Sequence, residues 1–328
     1  VLGAVVLSVV ALTFLPTPIA RHLVSRQLDD LGIDYSGVET VEVNLWRGRV
    51  KLGPVQFSVG EGDPGQLAYV EVVVRYLPLL SRRAAANDVI LSGIDLTLER
   101  GDDGRLALNG VRLDELAPDL AAAGGAEETP PGNPWGAGLA SFTLSDSRFL
   151  VQEGGERSLE VAVERLMLAD FYMWTPAQPG RFELAADVNG MAVTVDGEAR
   201  PFAERITVTA TSVVTGITPD RISRYVGPLG FERAAGEVSL DFAHEVEIGD
   251  DGTVSGTATG RSKLQGLALA VSDDQWVEVP DGELRAELSY EGALAAAAGT
   301  LRGLVGVDAT ALRAKPAADS ELAFERLA

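Results

Sequence analysis

The two histidines and three acidic, glycine-containing segments are the residues whose types could do chemistry. His244 is followed by Glu245, as in zinc-binding helices, but the sequence lacks the second histidine that such a helix needs. Three segments could indicate calcium loops, although no further carboxylates follow at loop spacing: Asp102-Asp103-Gly104, Asp250-Asp251-Gly252 and Asp281-Gly282. We interpret His244 as a surface strand residue and the acidic segments as hairpin turns.

Other chemical signatures are missing from the sequence. It contains no nucleotide-binding loop, serine-hydrolase elbow or dinucleotide fingerprint. The absence of cysteine excludes disulfides and thiolate chemistry. A formal charge of −21, from 27 basic and 48 acidic side chains, opposes binding to nucleic acid. The sequence therefore predicts a protein that is not an enzyme and that has no catalytic residues, metal or cofactor.

The first residues are apolar and uncharged over Val1–Leu15. A membrane-spanning helix needs about 20 such residues, and Pro16 and Pro18 would end a helix at the water interface. We predict a transmembrane anchor over residues 1–16 and a linking helix over 17–33. A cleaved signal peptide is the alternative, but Pro18-Ile19-Ala20 matches the small-x-small cleavage pattern poorly. Either interpretation carries the rest of the chain across a membrane.

Alternation of apolar and polar residues is the strongest signal in the rest of the chain. It predicts strands with one apolar face, and 36 glycines and 16 prolines indicate many turns. The alternation slips by one residue at Gly53-Pro54, at Ser92-Gly93 and, more weakly, around Gly266, where bulges would keep the apolar side chains on one face. The predicted apolar residues at the first two slips are Val50, Leu52, Val55, Phe57, Val89, Leu91, Ile94, Leu96 and Leu98.

The clearest hairpin surrounds Asn189-Gly190, a pair that suits a two-residue type I′ turn. This turn would place the apolar residues of both strands on one face. The predicted face comprises Phe182, Leu184, Val188, Met191, Val193 and Val195, and a later strand adds Val238, Leu240 and Phe242. The sheet is predicted to be long, curved and antiparallel.

The predicted organisation has two β blocks, over residues 34–120 and 139–310. A Gly- and Pro-rich linker or loop over 121–138 divides them. Helices are few, and Thr218-Pro219-Asp220 predicts the start of one that ends at Val226. Residues 311–328 lose the alternation and are interpreted as a tail, either a short helix or a frayed end. The aromatic cluster Phe171–Trp174 would contact a membrane or a partner, or fill a core.

Several segments resemble a known family. Those that resemble the amino-terminal module of AsmA-like envelope proteins are Trp46–Val55, Val70–Tyr76, Leu79-Leu80, Val89–Leu98 and Asp102–Leu106. Arg181–Val226 and Ala235–Asp241 are similar to a large AsmA-related family of bacterial membrane-anchored proteins. The resemblance implies a single-pass bacterial inner-membrane protein with its bulk in the periplasm. It also implies a U-shaped β groove, as in bridge-like lipid transfer proteins, and no catalytic residues.

Two functions remain open from the sequence. A sheet with one apolar face must cover it with helices, a second sheet or an apolar ligand, and the predicted helices are few. We predict that phospholipid or another acyl-chain lipid covers the face, since each methylene shielded from water contributes about 0.8 kcal/mol. The alternative fold is a closed β-sandwich. The alternative function is an envelope scaffold or assembly factor that binds a protein partner through its sheet edges.

Overall fold

The computed structural model describes residues 33–36, 41–59, 65–101, 106–109, 111–112, 136–153, 156–226, 233–249, 252–272, 275–293, 298–309, 312–317 and 320–324. The predicted anchor, the predicted linking helix up to residue 32 and positions 121–135 of the predicted linker lie outside these residues. Within the described ranges, no helix is long and apolar enough to cross a membrane. The chain is mainly β, its strands pair mostly antiparallel and its helices are few and short, which confirms the coarse fold prediction.

The chain divides into two compact units, residues 1–180 and 181–328. This boundary lies downstream of the predicted linker, and residues 136–138 of that linker begin a strand. Ile33, the last residue of the predicted linking helix, begins a strand as well.

The first unit is built from short bent strands and two long ones. Two 3₁₀ turns, Leu45–Arg47 and Leu77–Ser81, connect strands at one end of the sheet. The strands are β1 (Ile33–Ser36), β2 (Val41–Asn44), β3 (Arg49–Leu52), β4 (Val55–Val59), β5 (Gly65–Leu67), β6 (Tyr69–Arg75), β7 (Arg83–Ser92), β8 (Asp95–Arg100), β9 (Leu106–Leu108), β10 (Val111–Arg112), β11 (Gly136–Glu153) and β12 (Glu156–Tyr172).

Pairing in the first unit follows the predicted slips. Strands β2, β3, β6 and β7 form an antiparallel ladder. Strand β11 pairs parallel with β7 and then with β8, and antiparallel with β12. The break between β3 and β4 falls at Gly53-Pro54, and the break between β7 and β8 falls at Gly93-Ile94, where Gly93 has φ 67°. A Cβ at position 93 would lie 2.5 Å from that of Ala68, so glycine is required at this bend.

Rows of apolar side chains across these strands form the core of the first unit. Val50, Val72, Val89 and Phe142 occupy successive register positions, and Val72 is only 2% exposed. Four of the residues predicted to line a groove are buried here, namely Val50, Val89, Leu91 and Ile94. Leu52, Val55, Leu96 and Leu98 are half-buried, and the side chain of Phe57 lies outside the described part of the chain.

Glu71 is a buried carboxylate on the opposite face of β6. Its oxygens lie 2.8 Å from Arg49 Nε and 3.4 Å from Lys51 Nζ, and it accepts a hydrogen bond from the Tyr69 hydroxyl. Burial alone raises the pKa of Glu71, but the Tyr69 hydrogen bond and the two cations outweigh it and hold the pKa below its usual value. The pairing therefore stabilises the ionised carboxylate.

Replacing Glu71 with glutamine is expected to cost about 1–2 kcal/mol of stability at neutral pH, because Arg49 and Lys51 lose their shared anion. A carboxyl with a lowered folded-state pKa stabilises the fold fully above its unfolded pKa, and this contribution is lost as pH falls through the folded-state pKa. Chemical denaturation of both proteins across pH 3–7 checks the sign. A stability gap that stays constant or widens on acidification would contradict this account.

The second unit is one antiparallel ladder with a short helix, α1 (Pro219–Val226). Its longest strand, β17, has 20 residues. They are β13 (Gly180–Val188), β14 (Met191–Arg200), β15 (Ile206–Ile217), β16 (Arg233–Ile248), β17 (Thr253–Ser272), β18 (Gln275–Ala293), β19 (Ala298–Ala309), β20 (Leu312–Ala317) and β21 (Ser320–Phe324).

The predicted hairpin and helix are confirmed. Asn189 and Gly190 have φ of 51° and 83°, as a type I′ turn requires, and the Gly190 N–H donates to Asp187 Oδ1 at 2.6 Å. Helix α1 begins at Pro219 and ends at Val226. Arg221 Nη1 donates to the Gly216 carbonyl at 2.6 Å, so the helix is held against the adjoining end of β15.

The predicted slip around Gly266 is a bulge. The register of β16 with β17 shifts beside Gly236, and Gly236 and Gly266 have φ of 106° and 58°. Leu264 and Leu267, on either side of Gly266, both pack in one small cluster with Val279. The bulge thus keeps the apolar residues of β17 on one face.

Two sequence interpretations are wrong in this unit. Asp281-Gly282, interpreted as a hairpin turn, lies inside β18, where Gly282 pairs with Leu264 and Asp281 with Gln265. Residues 312–317 and 320–324, in the segment interpreted as a tail, form β20 and β21, and β20 pairs with β18. Ladder hydrogen bonds to neighbouring strands stabilise this segment even though its alternation is weak.

Candidate functional site

The apolar side chains of the second unit form rows that cross the sheet. Cross-strand partners in an antiparallel sheet share a face, so the register places each row on one side of β14, β15, β16, β17 and β18. We call this side the apolar face. Its rows are Val193, Val214, Leu240, Ser262 and Leu284; Val195, Ser212, Phe242, Gly260 and Ala286; Gly197, Ala210, His244, Ala258 and Leu288; and Ala199, Val208, Val246, Gly256 and Tyr290.

The apolar face is only half covered. Every residue in these rows is half-buried except Ser262, which is buried, and Tyr290, which is 38% exposed. Farther along β18, Val277 is also 38% exposed. In the described part of this unit, the only element outside the strand ladder with regular structure is α1, whose eight residues are too few to cover the rows. The half-buried state contrasts with the packed core of the first unit.

The opposite side of the same strands is polar. On β14 the exposed side chains are Ala192 and the polar Thr194, Asp196, Glu198 and Arg200, in strict alternation with the half-buried ones. On β17 the exposed side chains from Thr253 to Thr259 are all hydroxyl-bearing. One side of the ladder is therefore solvated, and the other side is left with apolar side chains in partial contact with water.

Aromatic rings lie against glycines on the apolar face. A Cβ on Gly197 would come within 2.7 Å of Phe182 Cζ, and a Cβ on Gly260 would come within 2.6 Å of the Phe242 ring. The Leu288 side chain lies against Gly303 in the same manner, since a Cβ on Gly303 would come within 2.5 Å of Leu288 Cδ2. Because glycine has no side chain, the large neighbouring side chains can occupy the space above it and pack against the backbone of the sheet.

His244 and Ser212 form a polar pair on this face, where Ser262 is a further polar side chain. Ser212 Oγ lies 2.6 Å from His244 Nε2, and the Phe242 and His244 rings stack with centroids 6.1 Å apart. His244, predicted to be a surface strand residue, lies on β16 and is half-buried among the apolar rows. A hydrogen-bond partner on the neighbouring strand makes this burial tolerable.

Replacing Ser212 with alanine is expected to destabilise the second unit by about 1–3 kcal/mol, because the imidazole of His244 loses its partner on an apolar surface. The double variant Ser212→Ala/His244→Phe is expected to recover most of that loss, since replacing both partners by apolar groups is nearly neutral. Urea unfolding of the single and double variants makes the comparison. Additive losses in the double variant would contradict a direct Ser212–His244 interaction.

All nine residues predicted for the second unit are half-buried. Register places Val193, Val195, Leu240 and Phe242 in the rows, and Val238 lies opposite Ile217 and Leu264. Phe182 lies close to Gly197, which is in the third row, so Phe182 is on the apolar face. Leu184 and Val188 are on the same face, because side chains two residues apart in a strand point to the same side. Met191 shares it with Val193 by the same period.

Sequence reasoning missed the small residues of β17. Gly256, Ala258 and Gly260 occupy the apolar face between large residues of β16 and β18. The signal was present as alternation of small residues with Thr and Ser over residues 253–260, but such residues score weakly as hydrophobic. The Ser212–His244 pair had no local signal, because 32 residues separate its members.

Neither a metal centre nor a known relative assigns a chemistry to this site. Within the residues that the structure describes, no group of three or more His, Cys, Asp or Glu side chains could hold a metal ion. No protein-family model and no curated protein matches the chain. The geometry of the apolar face is therefore the main guide to function.

Proposed function

We propose that the protein is a membrane-anchored envelope protein whose apolar face shields acyl chains of lipid from water and lets them pass along a β groove between membranes. The observation that carries this proposal is the half-covered apolar face of the second unit. Apolar side chains in partial contact with water across five strands are typical of a binding site. The rows contain no Lys or Arg, which favours an apolar ligand.

The dimensions of the face suit acyl chains. The five strands of each row, β14 to β18, are separated by four steps of about 4.8 Å, which makes each row about 19 Å long. An acyl chain in one bilayer leaflet spans about 15 Å, half of the hydrocarbon core. A chain laid across the strands would therefore contact three or four of them at once.

The rows also favour movement over tight capture. Most positions along each row are apolar, and contacts with methylenes are non-directional, each contributing about 0.8 kcal/mol. A lipid shifted by one strand would exchange one set of apolar contacts for a nearly equivalent set. This equivalence supports conduction along the sheet, with the Ser212–His244 pair and Ser262 as polar interruptions.

Mass spectrometry of organic extracts from the purified protein tests the proposal. We expect the extract to contain about one or more acyl-chain lipid molecules per protein molecule. This lipid should remain bound when the detergent is exchanged. A matched extract from a variant with aspartate at Leu240 would carry much less lipid. Purified protein without lipid, which also fails to take up a fluorescent fatty acid or phospholipid from vesicles, would overturn the proposed function.

A further inference from the structure

We propose that one end of the first unit docks on the surface of an anionic lipid bilayer. This end comprises residues 45–49, 75–86, 136–139 and 170–175, which we call the arginine-rich end. The proposal goes beyond the lipid-shielding face, because it concerns a different unit and stands even if that face carries no lipid.

Backbone pairing brings the four segments together. The Val74 N–H donates to the Gly48 carbonyl at 2.8 Å, which joins the first segment to the residue directly before the second. The Gly136 N–H donates to the Arg82 carbonyl at 3.0 Å, and the Met173 N–H donates to the Ala137 carbonyl at 3.0 Å. The starts of β3, β7 and β11 and the ends of β6 and β12 therefore lie at a single end of the sheet.

Large apolar side chains at this end face water. Trp46 is 98% exposed, Leu77 80% and Leu80 86%. None of the five residues of the turn Leu77–Ser81 is buried, and Arg82 closes that turn by donating its backbone N–H to the Pro78 and Leu79 carbonyls. Both 3₁₀ turns thus present apolar side chains that contribute little to the core. Exposure of these side chains to water is unfavourable, and contact with an apolar partner would remove them from water.

The aromatic cluster predicted from the sequence lies at the same end. Tyr172 and Trp174 pack with ring centroids 5.0 Å apart, and Arg83 lies 5.3 Å from the Trp174 ring. Met173 is exposed, and its sulfur accepts a hydrogen bond from the Ala137 N–H. Tryptophan and tyrosine are often found beside arginine at membrane interfaces. There the aromatic rings lie among the lipid headgroups, and the arginine side chains reach the phosphates.

The charge of this end is opposite to that of the chain. The four segments contain five arginines, at positions 47, 49, 75, 82 and 83, and one acidic residue, Asp170. Their net charge is +4, whereas the chain as a whole carries −21. Arg49 and Arg75 are engaged with Glu71 and Asn87, which leaves Arg47, Arg82 and Arg83 nearest the exposed apolar residues. An anionic bilayer complements both the charge and the apolar side chains.

The absence of cysteine permits a local test on the full chain. Leu80→Cys, labelled with an environment-sensitive fluorophore, would report on this end, and Leu304→Cys, at a largely exposed position of β19, is the matched control. The protein is reconstituted with vesicles of phosphatidylcholine alone or with phosphatidylglycerol added. We expect the label at position 80 to be protected from an aqueous quencher in the anionic vesicles and the label at 304 to stay accessible.

Charge reversal makes the test specific. In Arg47→Glu/Arg82→Glu/Arg83→Glu, the protection at position 80 is expected to need roughly tenfold more anionic lipid or to vanish. Equal accessibility of both labels in anionic vesicles would overturn the proposal. Protection at position 80 that depends on protein concentration and not on vesicles would assign this end to a second copy of the chain, and would overturn it too.

Discussion

Replacing Val193 with aspartate is expected to reduce the lipid bound by the purified protein at least tenfold. Val193 lies in the first row of the apolar face, opposite Val214, and is half-buried. A carboxylate there must either lose its hydration beside acyl chains or hold them away. Loss of contact with two methylenes alone costs about 1.6 kcal/mol, more than a tenfold change in affinity.

The control for this variant is the adjacent residue. Thr194→Asp adds the same charge on the same strand, but Thr194 is exposed on the polar side. It is expected to keep its lipid and its urea unfolding midpoint. Equal lipid loss in the two variants would show that net charge, and not the apolar face, governs binding.

Replacing Gly260 with valine is expected to disrupt the pairing of β16 with β17. A Cβ at this position would lie 2.2 Å from the Asp241 carbonyl oxygen and 2.6 Å from the Phe242 ring. The backbone must shift or the ring must rise from the sheet, at a cost of about 1–3 kcal/mol. Hydrogen exchange should therefore accelerate roughly tenfold to a hundredfold at the amides of β16 and β17.

Gly306→Val is the matched control for that variant. Gly306 lies in β19 of the same sheet and has nothing within 4 Å of its Cβ position. Valine favours strands, so exchange in β19 should slow or remain unchanged. If the amides of β16 and β17 in Gly260→Val exchanged at the native rate, the close packing of Phe242 against Gly260 would be contradicted.

Period-two alternation made much of the fold predictable. Strand faces follow directly from it, so the hairpin at Asn189-Gly190 and the breaks at Gly53-Pro54 and near Gly93 agree with the structure. The turn residues carry their own signal, since positive φ at both central positions demands residues such as Asn and Gly.

The remaining features depend on contacts between distant strands. The residue types of Asp281-Gly282 are typical of a turn, but backbone pairing of Gly282 with Leu264 places it within β18. Burial also depends on what lies across the sheet. Val89 and Val193 occupy similar sequence patterns, but Val89 is buried in the first unit and Val193 is half-buried in the second. No local pattern distinguishes these two outcomes.

Photocrosslinking from adjacent residues of β16 tests the central claim most directly. Leu240 lies on the apolar face, and Asp241 is exposed on the polar side. A photoreactive amino acid is placed at each position in turn, in the full chain in its native membranes. We predict that position 240 crosslinks to acyl-chain lipid and position 241 does not. Crosslinks from position 240 to other segments of the chain itself, with no lipid adduct, would show that protein covers the face and would contradict the account.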